Sequence, residues 1–134
     1  MTVIPALLQV SNVDQSIAFY TQVLGLHLIR KQDYPAGRFT LASLGYGDAV
    51  ISSVELSHNW GLDNDKIIKP EKLKLEVNNA IKVCGESKYA KGEVIGFLEH
   101  AKAQATTAIL KDPDGHIINI VEKRHEYGCA HHLQ

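Results

Sequence analysis

Apolar residues recur along this chain in two rhythms, one alternating and one helical, and the order of the rhythms repeats. Val3 to Val10 is a short apolar run of the kind that forms a strand. Pro5 sits early in it, where a missing backbone donor suits a strand start or a sheet edge. Val13, Ile17, Tyr20 and Leu24 follow at helical spacing, which predicts one apolar helix face. Ser11 or Asn12 stands ready to cap that helix, with Asp14 or Gln15 three residues on, a capping-box pattern. Gly25 supplies the stop. Leu26 to Lys31 and Arg38 to Leu44 read as strands. The turn Gly45-Tyr46-Gly47-Asp48 leads into a further strand, Ala49 to Ser57. The predicted order is β-α-β-β-β.

The same order returns in the second half. Leu73, Leu75 and Val77 alternate with polar residues from Lys72 to Val77, which predicts a half-buried strand. Asn78 or Asn79 can cap a short helix through Ala80, Ile81 and Val83. Gly92 to Phe97, Thr106 to Leu110 and His116 to Glu122 read as three more strands, the last two joined by the turn Asp112-Pro113-Asp114-Gly115. Val10 and Val77 hold matching places at the ends of the opening strands, and the strands ending near Ser57 and Lys123 match as closing strands. The fold class predicted is α+β, with two βαβββ modules. Module one spans about 1–61, module two about 70–123, and a tail covers 124–134. Half this length buries too little apolar surface to stand alone, so one domain over 1–134 is expected, its copies sharing one sheet system.

Composition narrows the classes of function. The 134 residues are 45% apolar and 22% charged, with a formal net charge of -1. No basic footprint is present for a phosphate backbone, so nucleic acid is not an expected partner. MTVIPALLQV carries neither a basic leader region nor a long apolar run, so neither a signal nor a membrane span is expected. Cys84 and Cys129 make no disulfide framework and no CxxC motif, and a cytoplasmic setting is the default.

Two stretches carry a resemblance. NVDQSIAFYTQVLG (12–25) and ELSHNWG (55–61), followed in order by KDPDGHIINIVE (111–122), resemble glyoxalase I, the lactoylglutathione lyase group of the vicinal oxygen chelate superfamily. The resemblance covers Leu7 to about Glu122. It implies that the two βαβββ modules form a cupped mixed sheet around a pocket, together with a homodimer whose pockets are built across the interface and a four-ligand metal centre with two ligands from each module. Carried over residue by residue, the four ligand positions are Pro5, Glu55, Lys72 and Asn119. The glutathione-binding positions are Gln9, where the family has Arg, and Asn59, which survives.

Only Glu55 of the four is a competent ligand. Proline has no side-chain donor, a lysine ammonium repels a cation, and asparagine offers only an amide oxygen. The resemblance with these departures implies a glyoxalase I-like protein that binds a small molecule without metal, or carries altered chemistry. The alternative is an active metal-dependent enzyme that converts the methylglyoxal–glutathione hemithioacetal to S-lactoylglutathione with nickel, cobalt or zinc. Glu55 is the candidate catalytic group in that case. The expected partners are a small molecule, such as a glutathione conjugate, and a second copy of the chain. The expected pocket comprises Gln9, Glu55, Asn59, Lys72 and Asn119, with a Lys72–Glu55 ion pair standing where the family's metal stands.

The remaining candidates have plainer readings. His27 and His58 flank motif residues but miss the ligand positions, and His116 after DPDG reads as a packing residue. His131 and His132 lie near Cys129 in a polar tail, a cluster that could take up zinc or nickel adventitiously. Trp60, Tyr46, Phe39 and Tyr89 could stack on a ligand, but aromatics more often pack cores.

Overall fold

Asn12 and Asn79 start the two helices by the same device. The Asn12 side chain accepts a hydrogen bond from the Gln15 amide at 3.0 Å, and the Asn79 side chain accepts one from the Lys82 amide at 3.0 Å. Ser11, the other candidate cap, is engaged elsewhere by Asp114. Replacing Asn12 by alanine is expected to cost about 1 kcal/mol, read as a shift of the urea midpoint at unchanged slope. In a computed structural model of the chain, the residues described are 5–46, 53–61, 70–87, 91–100 and 105–122. Val3 and Ile4 of the opening strand, the Gly47-Asp48 half of the first turn, Ala49 to Ser52, most of the linker, Tyr89, and the tail with Cys129, His131 and His132 lie outside them.

The elements run β1 (Ala6–Gln9), α1 (Val13–Ala18), β2 (His27–Tyr34), β3 (Phe39–Gly45), β4 (Val54–Asn59), β5 (Lys72–Val77), α2 (Ala80–Ser87), β6 (Glu93–His100), β7 (Ala105–Lys111) and β8 (Ile117–Glu122). Helix α1 continues through a wider π-helical turn, Phe19–Val23. The predicted helix face holds, with Val13, Tyr20 and Leu24 buried and Ile17 packed against them. Phe19 and Val23 are buried as well. The wider turn lets both Phe19 and Tyr20 face inward, with their rings edge to face at 5.2 Å. Gly25 ends the helix at φ +81°, a left-handed conformation that glycine adopts without penalty.

Two four-stranded sheets form, in the orders β1-β4-β3-β2 and β5-β8-β7-β6. In each, the closing strand lies parallel to the opening strand and antiparallel to the one before it. Even the irregularities repeat, with a register shift between Leu28 and Arg30 in one hairpin and between Val94 and Gly96 in the other. The expectation of one shared sheet system is corrected. No strand of one sheet pairs with a strand of the other among the described residues. What the modules share is a core. Leu8, Val10, Leu44, Val54 and Leu56 from the first sheet join Leu75, Val77, Leu110, Ile118 and Ile120 from the second in one buried cluster, with the two helices between. Strand pairing lies within each module, so burial of apolar side chains, helped by side-chain hydrogen bonds from the second module, holds the halves together.

The modules pack tightly at Gly92, where an added methyl group would overlap the Phe19 ring. Gly92→Ala should therefore destabilise the fold by about 1–3 kcal/mol through overpacking, seen as a lower melting temperature. An unchanged melting temperature would mean that Phe19 moves aside freely. Among the described residues no helix is long and apolar enough to cross a membrane.

Candidate ligand-binding site

Alternation along the opening and closing strands sorts their residues onto two faces. Leu8 and Val10 of β1 and Val54 and Leu56 of β4 turn into the core. Pro5, Leu7, Gln9, Glu55, Ser57 and Asn59 therefore belong to the opposite, open face, and Leu7 is 58% exposed there. In the second module Leu75, Val77, Ile118 and Ile120 take the core, which leaves Lys72, Lys74, Glu76, Ile117, Asn119 and Val121 on the open face. The two registers are in phase. Leu7 stands beside Glu55 as Lys74 stands beside Asn119. Pro5 and Lys72 each lie two residues before those pairs, so they hold equivalent places. Val10 and Val77 fall into equivalence by the same register.

Glu55 is half-buried, and its Oε2 accepts a hydrogen bond from Ser43 Oγ at 3.2 Å. Asn59 closes β4 opposite Phe39, and Gln9 ends β1 opposite Ser57. Lys72 and Asn119 are exposed on the other sheet. The expected Lys72–Glu55 ion pair is not formed within one chain. The two residues sit on separate sheets, and each sheet turns its open face away from the shared core. A hollow of about 210 Å³ lies on the open face of the second sheet, over Lys74, Thr107, Ile109, Asn119 and Val121. Asn119 is the predicted site residue that lines it. Gln9, Glu55 and Asn59 stand on the first sheet and do not.

The side chains at the four positions that the resemblance assigns to ligands do not supply the usual donor set of a nickel, cobalt or zinc centre. Such a centre takes imidazole, thiolate or carboxylate donors in a closed or nearly closed set. Pro5 offers none, Lys72 offers a cation, and Asn119 offers a neutral oxygen.

The DPDG turn does far more than reverse the chain, and this the sequence reading missed. Asp112 is buried, and its Oδ2 accepts the Tyr20 hydroxyl proton at 2.7 Å. Its Oδ1 accepts the amides of His116 at 2.8 Å and Asp114 at 3.0 Å. Fully buried His116 accepts the Glu71 amide on Nδ1 at 3.0 Å and donates from Nε2 to the Gln9 carbonyl at 2.7 Å. Those partners place the imidazole proton on Nε2. Asp114 accepts both the hydroxyl and the amide of Ser11, at 2.6 and 3.2 Å. One turn of module two thus clasps β1 and α1 of module one. Burial, followed by repulsion from Asp112, pushes the Tyr20 phenol well above its ordinary value. Burial also raises the Asp112 carboxyl, against opposing attraction from His116 and hydrogen bonds from Tyr20 and the two amides. The available signal was the pairing of a buried-face Tyr in FYTQVLG with carboxylates in DPDG.

Other candidates resolve into structural roles. Trp60 donates its indole proton to Thr40 Oγ1 at 2.8 Å, and Thr40 donates in turn to Asp33 at 2.7 Å. The His58 Nδ1–H donates to the Val10 carbonyl at 3.2 Å. Phe39 stacks on Tyr34 at 4.8 Å. Tyr46 lies beside β5; burial pushes its phenol up, opposed by the Glu76 amide and assisted by the Glu76 carboxylate. Cys84 is half-buried, and burial raises its thiol, which disfavours the reactive thiolate.

Known proteins agree with this architecture. Residues 2–120 match the model of the Glyoxalase/Bleomycin resistance protein/Dioxygenase superfamily. The lactoylglutathione lyase of Neisseria meningitidis serogroup A is 37% identical over 129 residues, covering 92% of each chain. The lactoylglutathione lyase of Escherichia coli O157:H7 is 33% identical over 127 residues, covering 92% of this chain and 94% of the relative. Among solved structures, the trypanothione-dependent glyoxalase I of Leishmania major superposes with a TM-score of 0.73 at 25% identity, over 99% of this chain and 94% of that one. Glyoxalase I of Zea mays gives 0.70 at 26%, over 87% of this chain and 44% of its own. By sequence and by fold, the chain belongs to the glyoxalase/bleomycin resistance protein/dioxygenase superfamily, as a glyoxalase I-like member.

Proposed function

We propose that this protein is a glyoxalase I-like homologue that binds a small organic molecule without a resident metal. One observation carries the reading. The four positions that are equivalent across the in-phase registers hold Pro5, Glu55, Lys72 and Asn119, with one metal-competent donor among them. Gln9 in place of an Arg weakens the hold on a glutathione carboxylate, because a neutral amide lacks the charge-assisted, two-pronged bond of a guanidinium. The site is completed by a second copy of the chain, whose first sheet would face this chain's second sheet and bring Glu55 toward Lys72. That pairing supplies an internal cation for Glu55 and explains why each sheet exposes a polar face. A cytoplasmic setting belongs to the same proposal.

A second reading is favoured by the relatives, which are named lactoylglutathione lyases, and by retention of Glu55 and Asn59. In that reading Glu55 moves the proton between the carbons of the hemithioacetal. Elemental analysis of protein purified without an affinity tag, combined with an assay for S-lactoylglutathione formation, separates the two. The expected result is substoichiometric nickel, cobalt and zinc, with a rate more than about a hundredfold below that of a ligand-complete enzyme. Stoichiometric metal with turnover sinks the metal-free reading.

A further inference from the structure

The duplication makes the first sheet an internal control for the second. Their matched registers pair every open-face position of one with a counterpart on the other. Pro5 gives way to Lys72, Leu7 to Lys74, Gly45 to Lys111 and Glu55 to Asn119. Three of these exchanges add an ammonium and the fourth removes a carboxylate. Lys72 and Lys74, two apart on β5, are separated by about 7 Å of strand, and Lys111 stands across Ile117 from Lys72 at about 10 Å. None of the three makes an ion pair among the described residues. The same face carries carboxylates at Glu76, on the far side of Lys74 beside Val121, and at Glu93, opposite Lys111 on the outer strand. The cation of the first face, Arg30, has Gly96 as its counterpart. Lys74 is the cation that lines the hollow, with Lys72 and Lys111 beyond its end at Ile117 and Glu76 beside it at Val121. Ile109 and Val121 give that hollow an apolar floor, and the Asn119 amide and Thr107 hydroxyl supply neutral donors.

We infer that the open face of the second sheet binds a small organic oxyanion, a carboxylate or phosphate ester, through Lys74 and Asn119, with Lys72 and Lys111 at the rim. The inference deepens the metal-independent reading, since a site without a metal needs another source of positive charge to hold an anion. Lys74, which makes no ion pair among the described residues, keeps its ammonium available. The apolar floor accommodates the organic part and lowers the local dielectric, which strengthens each contact.

The test is amide NMR of the full-length chain titrated with malonate and with inorganic phosphate, at constant ionic strength, with chloride as the control. Saturable shifts confined to 72–76, 107–111 and 117–121 are expected. Lys74→Gln should weaken binding roughly tenfold, and Lys72→Gln by less. Lys82→Gln, on α2, should leave it unchanged. Tighter phosphate binding assigns a phosphate ligand, and tighter malonate binding a carboxylate. Unsaturable shifts, or equal shifts around Lys82 and Lys91, mean an adventitious ion only and overturn the inference. Metal content of the same sample separates the two claims. Stoichiometric metal overturns the metal-free reading, and anion binding that then vanishes with chelator overturns this inference as well. Anion binding that survives chelator upholds it alone.

Discussion

Asp112→Ala is expected to destabilise the protein by about 3 kcal/mol, because three donors lose their acceptor inside the fold. The Tyr20 hydroxyl and the amides of His116 and Asp114 all point at this one carboxylate. Removing one partner of a buried hydrogen bond costs more than the bond contributed, since the orphaned group has already given up water. For a chain of this size that loss lowers the melting temperature by roughly 10 °C. Thermal unfolding followed by circular dichroism would read it, and a drop below about 3 °C would show that water replaces the carboxylate without strain. Tyr20→Phe removes one donor and leaves the other two satisfied, so its effect should be smaller.

The same residue has a pH signature of definite sign. Burial raises the Asp112 carboxyl in the folded state. A raised acid contributes most below the ordinary carboxylate range and loses that contribution as pH rises through its folded value. The deficit caused by Asp112→Asn should therefore be larger near pH 3 than at pH 7, measured by urea unfolding at both. A deficit that grows with pH would mean that the three hydrogen bonds outweigh desolvation and that the carboxyl is depressed instead.

The second large effect is a gain. Introducing Pro5→His, Lys72→His and Asn119→Glu together, beside native Glu55, should create nickel or zinc binding where the parent has little. At least a hundredfold rise in affinity is expected by isothermal titration calorimetry. Lys72→His alone should do little, because two donors do not close a site. If the folded triple variant fails to bind metal, the four positions do not converge and the assignment of the site falls. If binding appears only at protein concentrations that support a dimer, the site is shared between copies.

Much of the architecture was legible because it is written in local periodicity. Leu73, Leu75 and Val77 alternate, and β5 follows them residue for residue. Val13, Ile17, Tyr20 and Leu24 recur at helical spacing, and α1 turns that face inward. Periodicity also placed Val10 and Val77 in equivalence, and hydrogen-bonded register agrees. It did not say how the two modules meet. The expected common sheet is instead two sheets over one core, because strand pairing lies inside each module and side-chain burial joins them.

Candidate chemistry divides along the same line. The proposal of a metal-free site rests on residue identity, with a proline, a lysine and an asparagine at three positions that the resemblance assigns to ligands. Which groups face one another is not a matter of residue identity. Glu55 and Lys72 are 17 positions apart in sequence, yet they stand on separate sheets and form no pair within the chain. Asp112 and His116 read as turn and packing residues, and the fold makes them the clasp between halves separated by about a hundred residues. Side-chain pattern along one element is a local property and survives in the linear order. Convergence of polar groups across elements depends on how buried surfaces dock, and that is settled only when the core closes.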